Sequence, residues 1–80
     1  MVTPQQIQDW IAANLPCEFL KVVGDGHHFE AIIVSEEFAG KLSVARHQRV
    51  YQALGERMRE EIHALSMRTL TPAEWRAANG

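Results

Sequence analysis

Eighty residues and 9.1 kDa hold one small domain, residues 1–80, and no more. Eight Lys+Arg against ten Asp+Glu give a net charge of −2, and 46% hydrophobic with 22% charged residues is the balance of an ordinary soluble globular chain. A pI near 6.0 argues against strong sequence-independent binding to nucleic acid, and no apolar run nears the roughly 18–20 residues of a membrane span.

The first ten residues lack the basic start and apolar middle of an export signal. A single cysteine, Cys17, forms no internal disulfide and fits a reducing, cytoplasmic compartment. A chain of this mass folds to an accessible area of about 5,000 Å². That leaves little room for an enclosed ligand pocket, so a binding module is favoured over an enzyme.

Thr3-Pro4-Gln5-Gln6 reads as a helix start: Thr3 caps, Pro4 suits the first helical position and Gln6 completes a capping box. Ile7, Trp10, Ile11 and Leu15 then supply one apolar face, and Pro16 ends the helix. Glu18 to Val23 and His28 to Val34 read as strands rich in β-branched and aromatic residues. Asp25-Gly26 between them signals a two-residue turn with positive φ at both positions, so an antiparallel hairpin is expected.

Ser35 to Gly40 reads as a loop or a short helical turn. The longest helix is expected from Ser43 to about Met58. At 100° per residue Val44, His47, Val50, Tyr51, Leu54 and Met58 share one arc, on which His47 and Tyr51 read as structural. Arg46, Arg49 and Arg57 cluster on a neighbouring arc. A third strand is expected from His63 to Leu70. Thr71-Pro72-Ala73-Glu74 repeats the capping-box pattern and starts a final helix with Trp75. The order αββαβα predicts an α+β, two-layer sandwich: a three-stranded sheet with the two longer helices on one face.

Familiar catalytic patterns are missing. The sequence has no Gly-x-x-x-x-Gly-Lys phosphate loop and no Gly-x-x-Gly loop, and Gly24-Asp25-Gly26 is only a turn. Cys17 reads as a small hydrophobe beside Phe19 or Leu20. The chemistry-bearing residues that remain are four histidines, His27, His28, His47 and His63, and an uneven charge distribution. Residues 41–59 carry a local +4 and the rest of the chain −6. Arg46, Arg49 and Arg57 on that stretch are candidates for binding an acidic partner, glutathione or nucleic acid, against the plainer reading of a solvated helix face. One cysteine cannot ligate an iron–sulfur cluster alone, so a soft-metal site would be completed by another molecule.

The run from Phe38 to Tyr51, FAGKLSVARHQRVY, and the run from Glu61 to Trp75, EIHALSMRTLTPAEW, resemble the BolA family. Thr3-Pro4-Gln5-Gln6-Ile7 and Asp25-Gly26-His27-His28-Phe29 extend the likeness over nearly the whole chain, closest to the short bacterial, IbaG-like branch. The resemblance implies a fold like the class II KH domain and no enzyme activity. It also implies partnership with a monothiol glutaredoxin, with a [2Fe–2S] cluster shared between them. The glutaredoxin cysteine and bound glutathione would supply the thiolates. By position, His28 in the hairpin, with His27 as its competitor, and His63 before the third strand would supply imidazoles, a Rieske-like arrangement. Such ligation weakens as imidazole takes up a proton. A plainer alternative is a small oligomerisation module that forms a homodimer. The resemblance leaves a runner-up function, nucleic-acid-binding regulation through the basic helix face. Leu42 departs from the family pattern, which has Ser there; Ser43 comes one place later.

Overall fold

The computed structural model describes all 80 residues, with an accessible area of 4932 Å². Helix α1 spans Pro4–Asn14, strand β1 Phe19–Gly24 and strand β2 His28–Val34. A 3-10 turn at Glu36–Phe38 leads into α2, Ser43–Leu54. A short α3, Arg57–Glu60, precedes β3, Ala64–Leu70, and α4, Pro72–Asn79. This is the expected α+β order with one extra helical turn.

The capping boxes form as the sequence predicts. Thr3 Oγ1 accepts from the Gln6 N–H at 3.1 Å while Gln6 Oε1 accepts from the Thr3 N–H at 2.9 Å. Thr71 and Glu74 do the same at 3.1 and 2.9 Å. These contacts satisfy N–H groups that the first turn of a helix leaves without partners.

The sheet order is β1-β2-β3. Strands β1 and β2 pair antiparallel, Phe19 opposite Val34 and Gly24 opposite Phe29. Strands β2 and β3 pair parallel, His28 opposite Ala64 and Val34 opposite Leu70. Side chains alternate between faces along a strand, so the inner face carries Leu20, Val22, Phe29, Ala31, Ile33, Leu65 and Met67. All are buried or packed against the core cluster, together with Ile7 and Ile11 of α1 and Val50, Ala53 and Leu54 of α2. The two longer helices therefore cover one face of the sheet, as expected.

At the far end of the other face, Phe19, Val34 and Leu70 share one rung. Trp75 of α4 stacks on Phe19 there, with ring centroids 4.9 Å apart. No helix is long and apolar enough to cross a membrane.

Three local expectations are corrected. The long helix does not reach Met58. It stops at Leu54 because Gly55 takes a positive φ of 60°, a C-terminal cap that glycine adopts without a side-chain penalty. Its buried face is Val50, Ala53 and Leu54. Val44 and Tyr51, assigned to the core arc, are 70% and 40% exposed, and His47 is half-buried. The Ala53 carbonyl accepts from the Asn14 side chain of α1 at 3.2 Å, so this part of α2 packs beside α1.

The hairpin also turns differently. Only Gly26 has positive φ, so the two-positive-φ turn does not form. Instead Asp25 Oδ1 accepts from the N–H groups of both His27 and His28 at 2.9 Å. Aspartate favours this local arrangement, in which its side chain stands in for a backbone acceptor. Gly24 cannot be replaced cheaply, since a Cβ there would meet the His28 carbonyl and the Phe29 ring at 2.5 Å.

Leu42 occupies the N-cap of α2, is 85% exposed and supplies no side-chain acceptor. Leu42→Ser should therefore stabilise the fold by about 1 kcal/mol, the usual worth of a cap. Equilibrium urea unfolding monitored by tryptophan fluorescence would show the midpoint rise with an unchanged slope.

Candidate functional site

Two histidines from distant parts of the chain meet at one end of the sheet. The parallel register places His28 opposite Ala64. Its extension by one residue puts His27, in the hairpin loop, beside His63, which follows α3. Their ring centroids lie 5.5 Å apart, the rings tilted by 42°, and both residues are exposed. His27 shares the parity of Phe29, and His63 that of Leu65. The alternation that buries Phe29 and Leu65 therefore also brings the two imidazoles to the same side.

His28 belongs to the opposite set, with Glu30 and Ile32. Of the two hairpin candidates, His27 is the one whose ring stands beside His63. The signal was present in the sequence: each partner lies two residues before an apolar core residue at the head of its strand.

The pair is held by backbone rather than by side-chain contacts. Asp25 anchors the N–H of His27, and these same two backbone bonds, from His28 first and then His27, hold the Asp25 carboxyl below its ordinary range. Bonds of about 2 Å from one nitrogen of each ring to a common tetrahedral metal would set the ring centroids about 5–6 Å apart. The two exposed rings, 5.5 Å apart, lie at about that spacing. No third His, Cys, Asp or Glu joins them. Cys17 is no candidate, since its half-buried thiol donates to the Leu15 carbonyl at 3.2 Å. Burial pushes its pKa up, and nearby Glu37 adds to the rise.

The three arginines do not form an open anion site. Arg46 grips Glu74 of α4 with two bonds, 2.7 and 3.1 Å, and also donates to the carbonyls of Lys41 and Thr69 at 2.7 and 3.2 Å. Its side chain is only 13% exposed. Arg49 pairs with Glu37 at 2.8 Å and donates to the Asn14 carbonyl at 3.0 Å. Arg57 lies over the Trp10 ring at 4.6 Å, a cation–π contact between α3 and α1. Two of the three guanidiniums thus tie α2 to its neighbours, and the third covers an aromatic ring.

The fold and the histidine rung can be set beside known proteins. The sequence matches the family described as BolA-like protein over residues 13–74. The chain belongs to the BolA family. Within it, the DNA-binding transcriptional regulator BolA of Haemophilus influenzae is 36% identical, covering 99% of this chain and 86% of its own length. The acid stress protein IbaG of Escherichia coli K12 is 41% identical over 88% of this chain and 84% of its own. A BolA protein homologue from Coxiella burnetii has the same fold. Its TM-score is 0.83 at 44% identity, over 95% of this chain and 99% of that one. Membership accounts for the sandwich and its order.

The Arg46–Glu74 pair gives a pH test of how α4 is held. The Arg46 hydrogen bonds, aided by the Thr71 N–H, lower the Glu74 carboxyl from 4.5 to about 2. A carboxylate so depressed contributes its stabilisation fully above pH 4.5 and loses it as pH falls towards 2. Glu74→Gln keeps the capping acceptor but removes the charge. The stability gap between wild type and this variant should be constant from pH 7 to about 4.5 and close by about pH 2, read by urea unfolding at each pH.

Proposed function

We propose that this BolA family member is a non-enzymatic iron–sulfur adaptor. It would bind a monothiol glutaredoxin and donate imidazoles from His27 and His63 to a shared [2Fe–2S] cluster. The observation that carries this reading is the exposed imidazole pair, 5.5 Å apart, with no third ligand beside it. A pair of neutral nitrogens is half of a coordination sphere, and the thiolates would come from the glutaredoxin and its glutathione. When bound, a cluster with imidazoles on one iron supplies a one-electron centre of raised potential.

The residues of this chain orient the donors. Asp25 fixes the His27 backbone, and β3 fixes His63 on the adjacent rung.

The test mixes the protein with glutaredoxin, glutathione and iron and follows visible circular dichroism and EPR. Replacing either His27 or His63 by Ala should abolish the mixed-cluster spectrum, while His28→Ala should leave it intact. All three residues are exposed, so each variant should fold. Loss with His28→Ala but not with His27→Ala would overturn the assignment.

A second reading, nucleic-acid-binding regulation, is favoured by the regulator of H. influenzae, whose name describes it as DNA-binding. Arg46 and Arg49 are held by hydrogen bonds within the chain; Lys41, Arg57 over the Trp10 ring and Arg59, 4.0 Å from Glu56, are the remaining cations of that basic stretch that phosphate could meet. If DNA binding occurs, replacing Arg57 and Arg59 together by Gln should weaken it in mobility shifts at low salt. The salt dependence should become shallower by about two phosphate contacts. Binding that these changes leave untouched would remove this reading.

A further inference from the structure

Helix α4 is tied to the rest of the chain by few contacts. Thr71 follows Leu70 directly, and Trp75 lies over Phe19 of β1 with ring centroids 4.9 Å apart. The helix therefore crosses the end of the open sheet face from β3 to β1, above Val34 of β2. Beneath it Val34 and Leu70 are 0% and 7% exposed, yet neither joins the core cluster under α1 and α2. They form a separate apolar rung with Phe19, and α4 is its cover. Of the helix's own residues only Pro72 is buried; Trp75 is half-buried, and Ala73, Ala77 and Ala78 are exposed.

The polar tie is Arg46 to Glu74. If Glu74 leaves, the guanidinium keeps the carbonyls of Lys41 at 2.7 Å and Thr69 at 3.2 Å. The Glu74 side chain, already 48% exposed in the closed form, passes to water. The Leu70 carbonyl stays with the Ser35 N–H at 3.0 Å, so β3 remains paired to its last residue. Release therefore strands no buried donor or acceptor, which is the main cost of breaking a polar contact. What it costs is exposure of the apolar rung. An isolated helix of this length is not stable in water, so α4 stands or falls by these ties.

We propose that α4 is a releasable strap: it opens as one unit, hinged at Thr71, while the sandwich stays folded. Closed, it withholds the Phe19–Val34–Leu70 rung from solution. Open, that rung joins half-buried Ile32, which lies between Lys21 and Arg68 on the next rung, and Val23, 47% exposed, in one apolar strip. Partial openings of this kind draw on the parts of a fold with few buried contacts. The strap lies at the opposite end of the sheet from His27 and His63, so it is independent of the iron–sulfur reading.

Native-state hydrogen exchange, followed by NMR at rising but sub-denaturing urea, tests the strap. The amides of Trp75 to Gly80 should share one opening constant, at least about tenfold larger than that of Ile33 in β2. That constant should depend only weakly on urea, because opening exposes little surface. Trp75→Ala removes the stack on Phe19. It should raise the opening constant of the remaining α4 amides about tenfold or more. It should also increase binding of the apolar dye anilinonaphthalene sulfonate while Ile33 stays protected.

Three results would overturn the proposal. One is a graded series of constants, smallest at Trp75 and largest at Gly80, which marks a fraying end rather than a unit. Another is an α4 constant and urea slope equal to those of Ile33, which makes the helix an integral part of the fold. The third is a Trp75→Ala variant that binds no more dye than wild type.

Discussion

The parallel pairing of β2 with β3 is the constraint on which the rest depends. A parallel pair cannot be closed by a tight turn, so the chain must leave the end of β2, cross one face and re-enter at the start of β3. Here the crossover is the 3-10 turn, α2 and α3. Its return fixes His28 opposite Ala64, and with that one registration it fixes which loop residues become neighbours. A slip of one residue would move every β3 side chain to the other face. It would expose Leu65 and Met67 and part His63 from His27. Burial of the apolar side chains therefore selects the histidine rung, although neither histidine is buried.

The same crossover explains the arginines. Helix α2 packs against α1 and must also be fastened to the β3 side, where its apolar contribution is smaller. Arg46 does this with four hydrogen bonds to three residues: Lys41, Thr69 and Glu74. Guanidinium suits the task because its rigid fork of donors can serve a carboxylate and carbonyls together. Arg49 performs a similar service towards Asn14 and Glu37 at the opposite border of the helix. A charge count along the sequence registers a basic stretch. The geometry turns Arg46 and Arg49 of that stretch into internal ties.

Most of the architecture was legible because local signals agreed with one another. The two capping boxes, the β-branched strands and the apolar spacing of α1 each point to the element that forms. What was not legible depended on tertiary choice. The apolar spacing carries the helix on to Met58, whereas the positive φ of Gly55 ends it at Leu54. The buried face of α2 is Val50, Ala53 and Leu54, while Tyr51 stays 40% exposed. The Arg46–Glu74 contact joins residues 28 positions apart, and nothing local marks it. The histidine pair lies between these cases. Parity with Phe29 and Leu65 points to His27, whereas family position alone points to His28, and the two differ by one residue on opposite faces.

Exposure of both rings suits a shared site better than a private one. A structural metal is held by four protein ligands in a closed shell. Here two imidazoles stand on one rung with nothing further to close around an ion, and the only thiol is turned inwards to the Leu15 carbonyl. Metal affinity from two such donors alone would be modest, and it would rise once another molecule filled the remaining positions. Little ordering would be needed on this side of the contact, because Asp25 and the β3 register already hold both backbones in place. Binding free energy that would otherwise go into ordering a loop then remains available to the joint complex. A two-donor rung, if it ligates iron as proposed, would depend on a partner for its other ligands, which is the property the proposed adaptor requires.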